Sequence, residues 1–156
     1  MKSKLSAEAN VDVGQEEARQ WFLDLESHPE RYEFATHAGF EFTQGNFGEI
    51  GAKFQTEERF LGLKTTLRFA LTDLETYQFH FQLLRPALPI WGTFSLECIS
   101  DHRTAVHLEI GSERSLGHFF LNFPLIRTAI HRQIQREVDH IKKSMEEVGS
   151  TQAAPS

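Results

Sequence analysis

The chain has 156 residues, of which 40% are hydrophobic and 24% charged, and its formal net charge at pH 7 is −6. This length and balance are typical of one globular domain that builds its core without disulfides or metals. The acidic charge and the lack of a basic patch argue against nucleic-acid binding. The single cysteine, Cys98, excludes an intrachain disulfide and a multi-cysteine metal site.

Apolar residues are distributed through the chain without a run long enough for a signal peptide or a membrane span. We therefore predict a cytoplasmic protein with no membrane span, and we leave transient membrane contact and the oligomeric state open. The segment 149–156 is small and polar, which predicts a disordered tail after a single domain over residues 1–148. The 14 phenylalanines favour a large apolar interior, because phenylalanine adds volume without a polar atom.

The first elements are a strand and two short helices. Residues 4–13 alternate between apolar and polar side chains, which predicts a half-buried strand. Apolar residues then follow at helical spacing, at Ala18, Trp21, Phe22 and Leu25. Pro29 ends this helix and opens another short one to about Phe34.

From Gly39 to Ile110 the apolar pattern has a period of two and is divided by turn residues. Six consecutive strands at roughly ten-residue spacing predict an antiparallel meander. The final element is a helix from about Ser115 to Val148, with a kink or a separate first turn at Pro124. Beyond Pro124 its apolar stripe lies on one face and would cover the apolar face of the sheet, at positions Ile126, Ile130, Ile134, Val138, Ile141 and Met145.

This order of elements resembles the START-like, or Bet v 1-like, superfamily, also called SRPBCC. Three stretches over about residues 4–148 carry the resemblance: Ala9 to Leu25, Gly48-Glu49-Ile50-Gly51-Ala52-Lys53-Phe54, and Phe123-Pro124-Leu125 leading into an amphipathic helix. The resemblance implies an α+β helix-grip fold, in which a curved antiparallel sheet of about seven strands wraps around a long C-terminal helix. It also implies two short helices between strands 1 and 2, and a cavity for lipids, sterols, quinones, polyketides or plant hormones.

Other chemistry is disfavoured by the sequence. The glycines from Gly45 to Gly51 join two strands and lack a Walker ending, so they indicate turns and not a phosphate loop. The eight histidines show no pair four residues apart, which argues against a zinc site, and no metal or cofactor is predicted. Cys98 follows Phe94 and Leu96 in a strand, which favours inert burial over nucleophilic chemistry.

The predicted ligand-binding residues point inward by strand alternation or lie on the helical stripe. They are Phe54, Glu58, Leu67, Phe69, Phe81, Phe94, Phe123, Ile126, Arg127, Ile130 and His131. Two of them are charged and interrupt apolar faces. Glu58 either faces the cavity or lies at a strand end near solvent, and Arg127 either reaches the cavity or extends past the turn near Pro124 into water.

We predict from these patterns that the protein binds or carries a hydrophobic small molecule, such as a lipid, a quinone or a polyketide-like compound. One alternative is a polyketide cyclase-like enzyme in which Glu58, Arg127 or His131 acts on the bound molecule. Another is a protein-interaction module of the same fold, which a cavity filled by phenylalanine would favour. The resemblance matches no catalytic motif, so catalytic residues and enzymatic activity stay unassigned.

Overall fold

Seven antiparallel strands form one sheet that grips a long C-terminal helix. The structure is a computed structural model that describes residues 3–60, 62–114, 117 and 121–153. Its elements in chain order are β1 (Ser3–Val11), α1 (Gln15–Leu23), two 3-10 turns (Asp24–Glu26 and Pro29–Tyr32), β2 (His37–Gln44), β3 (Lys53–Phe60), β4 (Leu63–Glu75), β5 (Gln78–Arg85), β6 (Trp91–Ser100), β7 (Arg103–Ser112) and α2 (Pro124–Ala153).

The strand order in the sheet is β1-β7-β6-β5-β4-β3-β2. From β2 to β7, each strand pairs with the next strand in the chain. The first strand, β1, pairs with β7 at the other end of the meander. Helix α2 packs against β1, β7 and β3 on the inner face. The predicted helix-grip fold, with its antiparallel meander and its two short helical segments between the first two strands, is therefore confirmed.

The two sequence periods explain how the core forms. In β5 and β6 alternate side chains are buried, as period-two patterning requires. On α2 the buried positions Ile134, Val138, Ile141 and Met145 follow at steps of four, three and four. Helix α1 is held to α2 by the indole Nε1 of Trp21, which donates a 3.0 Å hydrogen bond to the Ser144 hydroxyl. The inner face of the sheet and α2 consequently enclose one continuous core.

Two details correct the sequence-based predictions. Cys98 is exposed, because burial in β6 ends after Leu96 and the last four residues of the strand are open to solvent. Helix α2 continues past Val148 to Ala153, since Val148 packs against the core and Gly149 lies beside Val13. Residues 115, 116 and 118–120 of the predicted helix start, and 154–156 of the predicted tail, lie outside the described residues. Within the described part of the chain, no helix has the length and apolar character needed to cross a membrane.

Candidate functional site

A cavity of about 140 Å³ lies between the inner face of the sheet and α2. Its walls are almost entirely apolar, and the described lining includes six phenylalanines: Phe40, Phe47, Phe54, Phe69, Phe81 and Phe94. Among the lining residues that are half-buried or exposed, Thr65 and Leu67 come from β4, Pro86 and Leu88 from the loop after β5 and Ile130 from α2, and Phe69 and Ile110 are also half-buried. These residues mark the side on which the cavity meets solvent.

Most of the predicted lining is found at the cavity. The structure places there Phe54, Glu58, Leu67, Phe69, Phe81, Phe94 and Ile130. Glu58 is 7% exposed, so it faces the interior and does not lie at an open strand end. Strand alternation carries it inward, because Phe54, Thr56 and Glu58 share the face of β3 that α2 covers.

The remaining four predicted residues lie outside the cavity lining: Phe123, Ile126, Arg127 and His131. Arg127 is exposed, and its guanidinium donates 3.4 Å hydrogen bonds to the Asn122 side chain and to the backbone oxygen of Lys4. The face of α2 that meets the cavity is centred close to Glu137, on the mean direction of its lining residues Ile130, Gln133, Ile134 and Glu137. At 100° per residue, Arg127 lies about 70° from that centre. The prediction that Arg127 reaches the cavity is therefore wrong, and its guanidinium extends into solvent.

One end of the cavity is polar and consists of His37, Glu58 and Glu137, all of them buried. The Nε2 atom of His37 lies 3.2 Å from Oε1 of Glu137 and 3.9 Å from Oε2 of Glu58. One ligand-type atom from each residue lies within 4.8 Å of the others. We call these three residues the inner cluster.

Neighbouring polar groups hold the inner cluster in place. The Nδ1 atom of His37 is 2.6 Å from the backbone oxygen of Tyr32, and the Tyr32 hydroxyl donates a 3.2 Å hydrogen bond to Oε1 of Glu137. The amide nitrogen of Gln133 donates to Oε1 of Glu58 at 3.3 Å and to the backbone oxygen of Thr36 at 3.1 Å. The hydroxyl of Thr56 lies 3.3 Å from Nε2 of His37. These contacts fix both carboxylates and the imidazole ring without leaving them to solvent.

Burial and mutual repulsion change how the inner cluster titrates. Burial, and then the charge of Glu137, raise the pKa of Glu58 to about 8. Burial alone would lower the pKa of His37, but the hydrogen bond and charge of Glu137 outweigh it and raise that pKa. Burial and the nearby Glu137 also raise the pKa of the Tyr32 hydroxyl well above its ordinary value. Glu58 therefore retains its proton at neutral pH.

Most of this cluster was not predicted from the sequence. His37 is the first residue of β2 and Tyr32 ends a 3-10 turn, so neither lies in a periodic segment. Glu137 and Gln133 do carry a signal, because Glu137 lies three residues after the buried Ile134 and four before the buried Ile141, and Gln133 lies three residues after the half-buried Ile130. A polar residue three or four residues from members of the apolar stripe lies near the same face of the helix. This spacing could have indicated from the sequence that Gln133 and Glu137 face the interior.

The cluster offers two kinds of chemistry. An imidazole hydrogen-bonded to a carboxylate can move a proton to or from a bound molecule. An imidazole nitrogen and two carboxylates are also donors that divalent metals accept, so His37, Glu58 and Glu137 could hold such an ion. Either kind of chemistry would take place at the wall of an apolar cavity.

No protein-family model matches the sequence, and no curated protein matches it significantly. Solved structures match it in fold. The aromatase/cyclase Zhui from Streptomyces sp. R1128 superimposes with a TM-score of 0.78 at 11% identity, over 99% of this chain and 100% of that chain. A START superfamily protein from Mycobacterium smegmatis gives 0.67 at 15% identity, over 96% and 99%.

Norcoclaurine synthase from Thalictrum flavum, in complex with dopamine and hydroxybenzaldehyde, gives a TM-score of 0.65 at 11% identity, over 99% of this chain and 90% of that chain. Identities this low establish the fold and leave the function to be argued from the site. The chain has the Bet v 1-like, START-like helix-grip fold.

Proposed function

We propose that the protein binds a small, mainly apolar molecule that carries an uncharged polar group, with its apolar part among the phenylalanines and its polar group at the inner cluster. The observation that supports this proposal best is the contrast within one cavity. Its walls are apolar, and its polar lining is concentrated around His37, Glu58 and Glu137. Sites for small molecules combine a mostly apolar lining with a few placed polar groups in this way.

The free volume limits the size of the molecule. A cavity of about 150 Å³ lined by aliphatic and aromatic side chains takes up a molecule the size of benzene. The cavity of about 140 Å³ therefore suits one aromatic ring. A longer molecule would have to extend past Leu67, Leu88 and Ile130 toward solvent or displace one of the phenylalanines.

The charges of the inner cluster select the polar group. Two carboxyl groups and one imidazole line the polar end, so a ligand carboxylate would add a third acidic group to a buried site. A carbonyl or a phenolic hydroxyl can accept or donate a hydrogen bond there without adding charge. We therefore place phenols, quinones and polyketide-like ketones ahead of free fatty acids.

The test uses a neutral and an anionic probe of the same size, 4-methylphenol and 4-methylbenzoate, in calorimetric titrations of the full chain. We expect the phenol to bind and the benzoate to bind at least about tenfold more weakly, which is about 1.4 kcal/mol. Failure of both probes to bind, or tighter binding of the benzoate, would contradict the proposal.

Two variants on one strand provide the matched control. Leu67→Trp places a larger side chain at the cavity wall and should abolish phenol binding. Leu63→Trp makes the same chemical change at a residue that is 68% exposed, and it should leave the affinity unchanged. Equal binding by both variants would show that the phenol binds elsewhere.

An enzyme acting on the bound molecule is the second candidate. The observation that favours it is the buried His37–Glu137 hydrogen bond at the cavity wall, which places a proton-transfer pair beside the ligand. Native mass spectrometry of protein purified from its own host, with extraction of the bound compound, would separate the candidates. A carrier returns the added extract unchanged, whereas an enzyme converts part of it to a product of different mass or structure.

The interaction-module alternative requires a solid interior. The described residues leave an open cavity between α2 and the sheet despite the six phenylalanines, which is why we prefer ligand binding. A structure of the protein with 4-methylphenol in that volume would exclude a purely interaction-based role for the cavity.

A further inference from the structure

We propose that His37, Glu58 and Glu137 form a binding site for one divalent transition-metal ion, of which Zn²⁺ is the test case, with an open coordination position toward the apolar cavity. This site goes beyond the proposed function and does not depend on it, because a metal can bind whether or not an organic ligand is present.

The donor set fits such an ion. One neutral imidazole and two carboxylates are ligands that zinc and its first-row neighbours accept, and three protein ligands leave a position for water or substrate. Two carboxylate charges also balance the charge of one divalent cation. With the imidazole neutral and both carboxylates ionised, the occupied site would therefore carry no net charge.

The separations are close to those of a bound site. Ligands held at about 2.1 Å on a tetrahedral ion are about 3.4 Å from each other. Nε2 of His37 is 3.2 Å from Glu137 Oε1 and 3.9 Å from Glu58 Oε2, and one donor atom from each residue lies within 4.8 Å of the others. A small rotation of the Glu58 carboxylate would bring all three donors onto one ion.

The surroundings resemble the outer shell of a metal site. Nδ1 of His37 lies 2.6 Å from the backbone oxygen of Tyr32, which can only accept, so Nδ1 carries a proton and Nε2 is the nitrogen that would lose its proton to bind the ion. Gln133 binds Oε1 of Glu58, which leaves Oε2, the atom nearer His37, to coordinate. The Tyr32 hydroxyl donates to Oε1 of Glu137, the atom nearest Nε2 of His37, and so holds that carboxylate toward the imidazole.

An independent observation concerns the amide oxygen of Gln133. This side chain is 5% exposed and lines the cavity, and its amide nitrogen is 3.3 Å from Glu58. Its Oε1 atom is nevertheless buried without a hydrogen-bond partner. A water molecule in the open coordination position of the ion would be a donor for this oxygen. One water molecule bound to the ion would therefore be the fourth ligand and would also donate a hydrogen bond to Oε1 of Gln133.

The experiment uses the full chain, stripped of metal with a chelator and dialysed. Calorimetric titration with Zn²⁺ should show one ion per chain with a dissociation constant below about 10 µM. Titration with Co²⁺ should produce the intense visible absorption of a four-coordinate ion with nitrogen and oxygen ligands. A dissociation constant above about 10 µM, or a six-coordinate cobalt spectrum, would overturn the proposal.

Four variants test the location of the ion. His37→Gln and Glu137→Gln should each weaken Zn²⁺ binding by at least about 100-fold, since losing a ligand costs more than the roughly 10- to 100-fold of losing its hydrogen-bond partner. Gln133→Leu should weaken it by about tenfold. Glu58→Gln is a further ligand variant that keeps a neutral side chain of the same shape, so it remains informative if the His37 variant fails to fold.

The chain contains a matched control. On the outer face of the sheet, His107 contacts Glu8 and Glu97, the same three residue types, but each carboxylate meets a different ring nitrogen, at 3.0 Å and 3.1 Å. Because those two nitrogens point away from each other, the three residues cannot share one ion. His107→Gln should leave Zn²⁺ binding and the cobalt spectrum unchanged. If it removes the high-affinity site while His37→Gln does not, the inner site is refuted.

Discussion

Among the described residues, there are two groups in which a histidine contacts two glutamates. One group lies inside the fold, and the other lies on its outer surface. The inner cluster lines the cavity, with side-chain exposures of 3% for His37 and 9% for each glutamate. The outer group joins β1, β7 and β6, with exposures of 33% for His107, 66% for Glu8 and 70% for Glu97. Residue types and contact distances are therefore similar, and burial and direction are what differ.

The comparison shows how little residue identity decides by itself. Water solvates each outer charge separately, so those ion pairs are expected to contribute little to stability. In the inner cluster desolvation makes every charge depend on its neighbours, and removing one partner leaves another without compensation. The two groups also differ in direction. Both inner carboxylates face the same ring nitrogen, as a shared metal ion requires, whereas the outer carboxylates face different ring nitrogens.

The largest expected difference follows from removing each histidine. His37→Ala should lower the free energy of unfolding by about 3 kcal/mol, because it leaves two buried carboxyl groups without the imidazole. His107→Ala should lower it by less than about 1 kcal/mol, since its partners remain in water. Urea denaturation in the presence of a chelator measures both. Similar losses for the two variants would contradict the distinction between the groups.

The next effect is the pH dependence of stability in the metal-free protein. Folded Glu58 keeps its proton up to about pH 8, whereas the unfolded side chain loses it near pH 4.5. Unfolding therefore releases a proton between these values, and stability should fall as pH rises through that window. The raised pKa of His37 acts in the same direction, since its contribution is lost as pH rises through the folded pKa.

Glu58→Gln should remove most of this dependence. At pH 9 it should be more stable than the natural sequence by on the order of 2 kcal/mol, because no charge is then forced into the core. Glu97→Gln, the same change on the surface, should leave the pH profile unaltered. Urea denaturation at pH 5, 7 and 9 provides the measurement, and parallel profiles for Glu58→Gln and the natural sequence would show that Glu58 keeps no proton.

Two tyrosines give a finer comparison. The hydroxyls of Tyr32 and Tyr77 each donate a 3.2 Å hydrogen bond to a glutamate, the first to buried Glu137 and the second to exposed Glu16. Tyr32→Phe should cost about 1.5 kcal/mol, because a buried carboxylate loses a donor that water cannot replace. Tyr77→Phe should cost less than about 0.5 kcal/mol. Thermal denaturation resolves the two, and equal shifts in Tm would show that burial does not strengthen this contact.

The fold was predictable because its signals are repeated along the chain. Alternation recurs in strand after strand, and the helical stripe recurs over several turns of α2. The site depends instead on single residues. Glu58 could be singled out because it interrupts the apolar alternation of β3, whereas His37 follows a short turn whose path no periodicity describes.

The prediction for Arg127 failed for a related reason. The apolar stripe of α2 indicated which face is buried, but the cavity meets only the part of that face around Gln133 and Glu137. Angular position on a helix could not show how far along the axis the cavity extends, or that polar residues would line it. That information is set by the packing of β3 and the Pro29–Tyr32 turn against α2, and by the contact between His37 of β2 and Glu137 of α2.

The smallest expected effect is therefore that of Arg127→Met. Its guanidinium is exposed, and its two hydrogen bonds are 3.4 Å long and compete with water. Removing them should change the free energy of unfolding by less than about 0.5 kcal/mol, as for most surface substitutions. Binding of 4-methylphenol should stay within about twofold of the natural sequence, because the side chain lies outside the cavity lining. Leu67→Trp in the same titration shows the loss that a cavity residue produces. If Arg127→Met instead weakened phenol binding tenfold or more, the cavity would have to extend toward the start of α2 when occupied, and the inner cluster would no longer be its only charged end among the described residues.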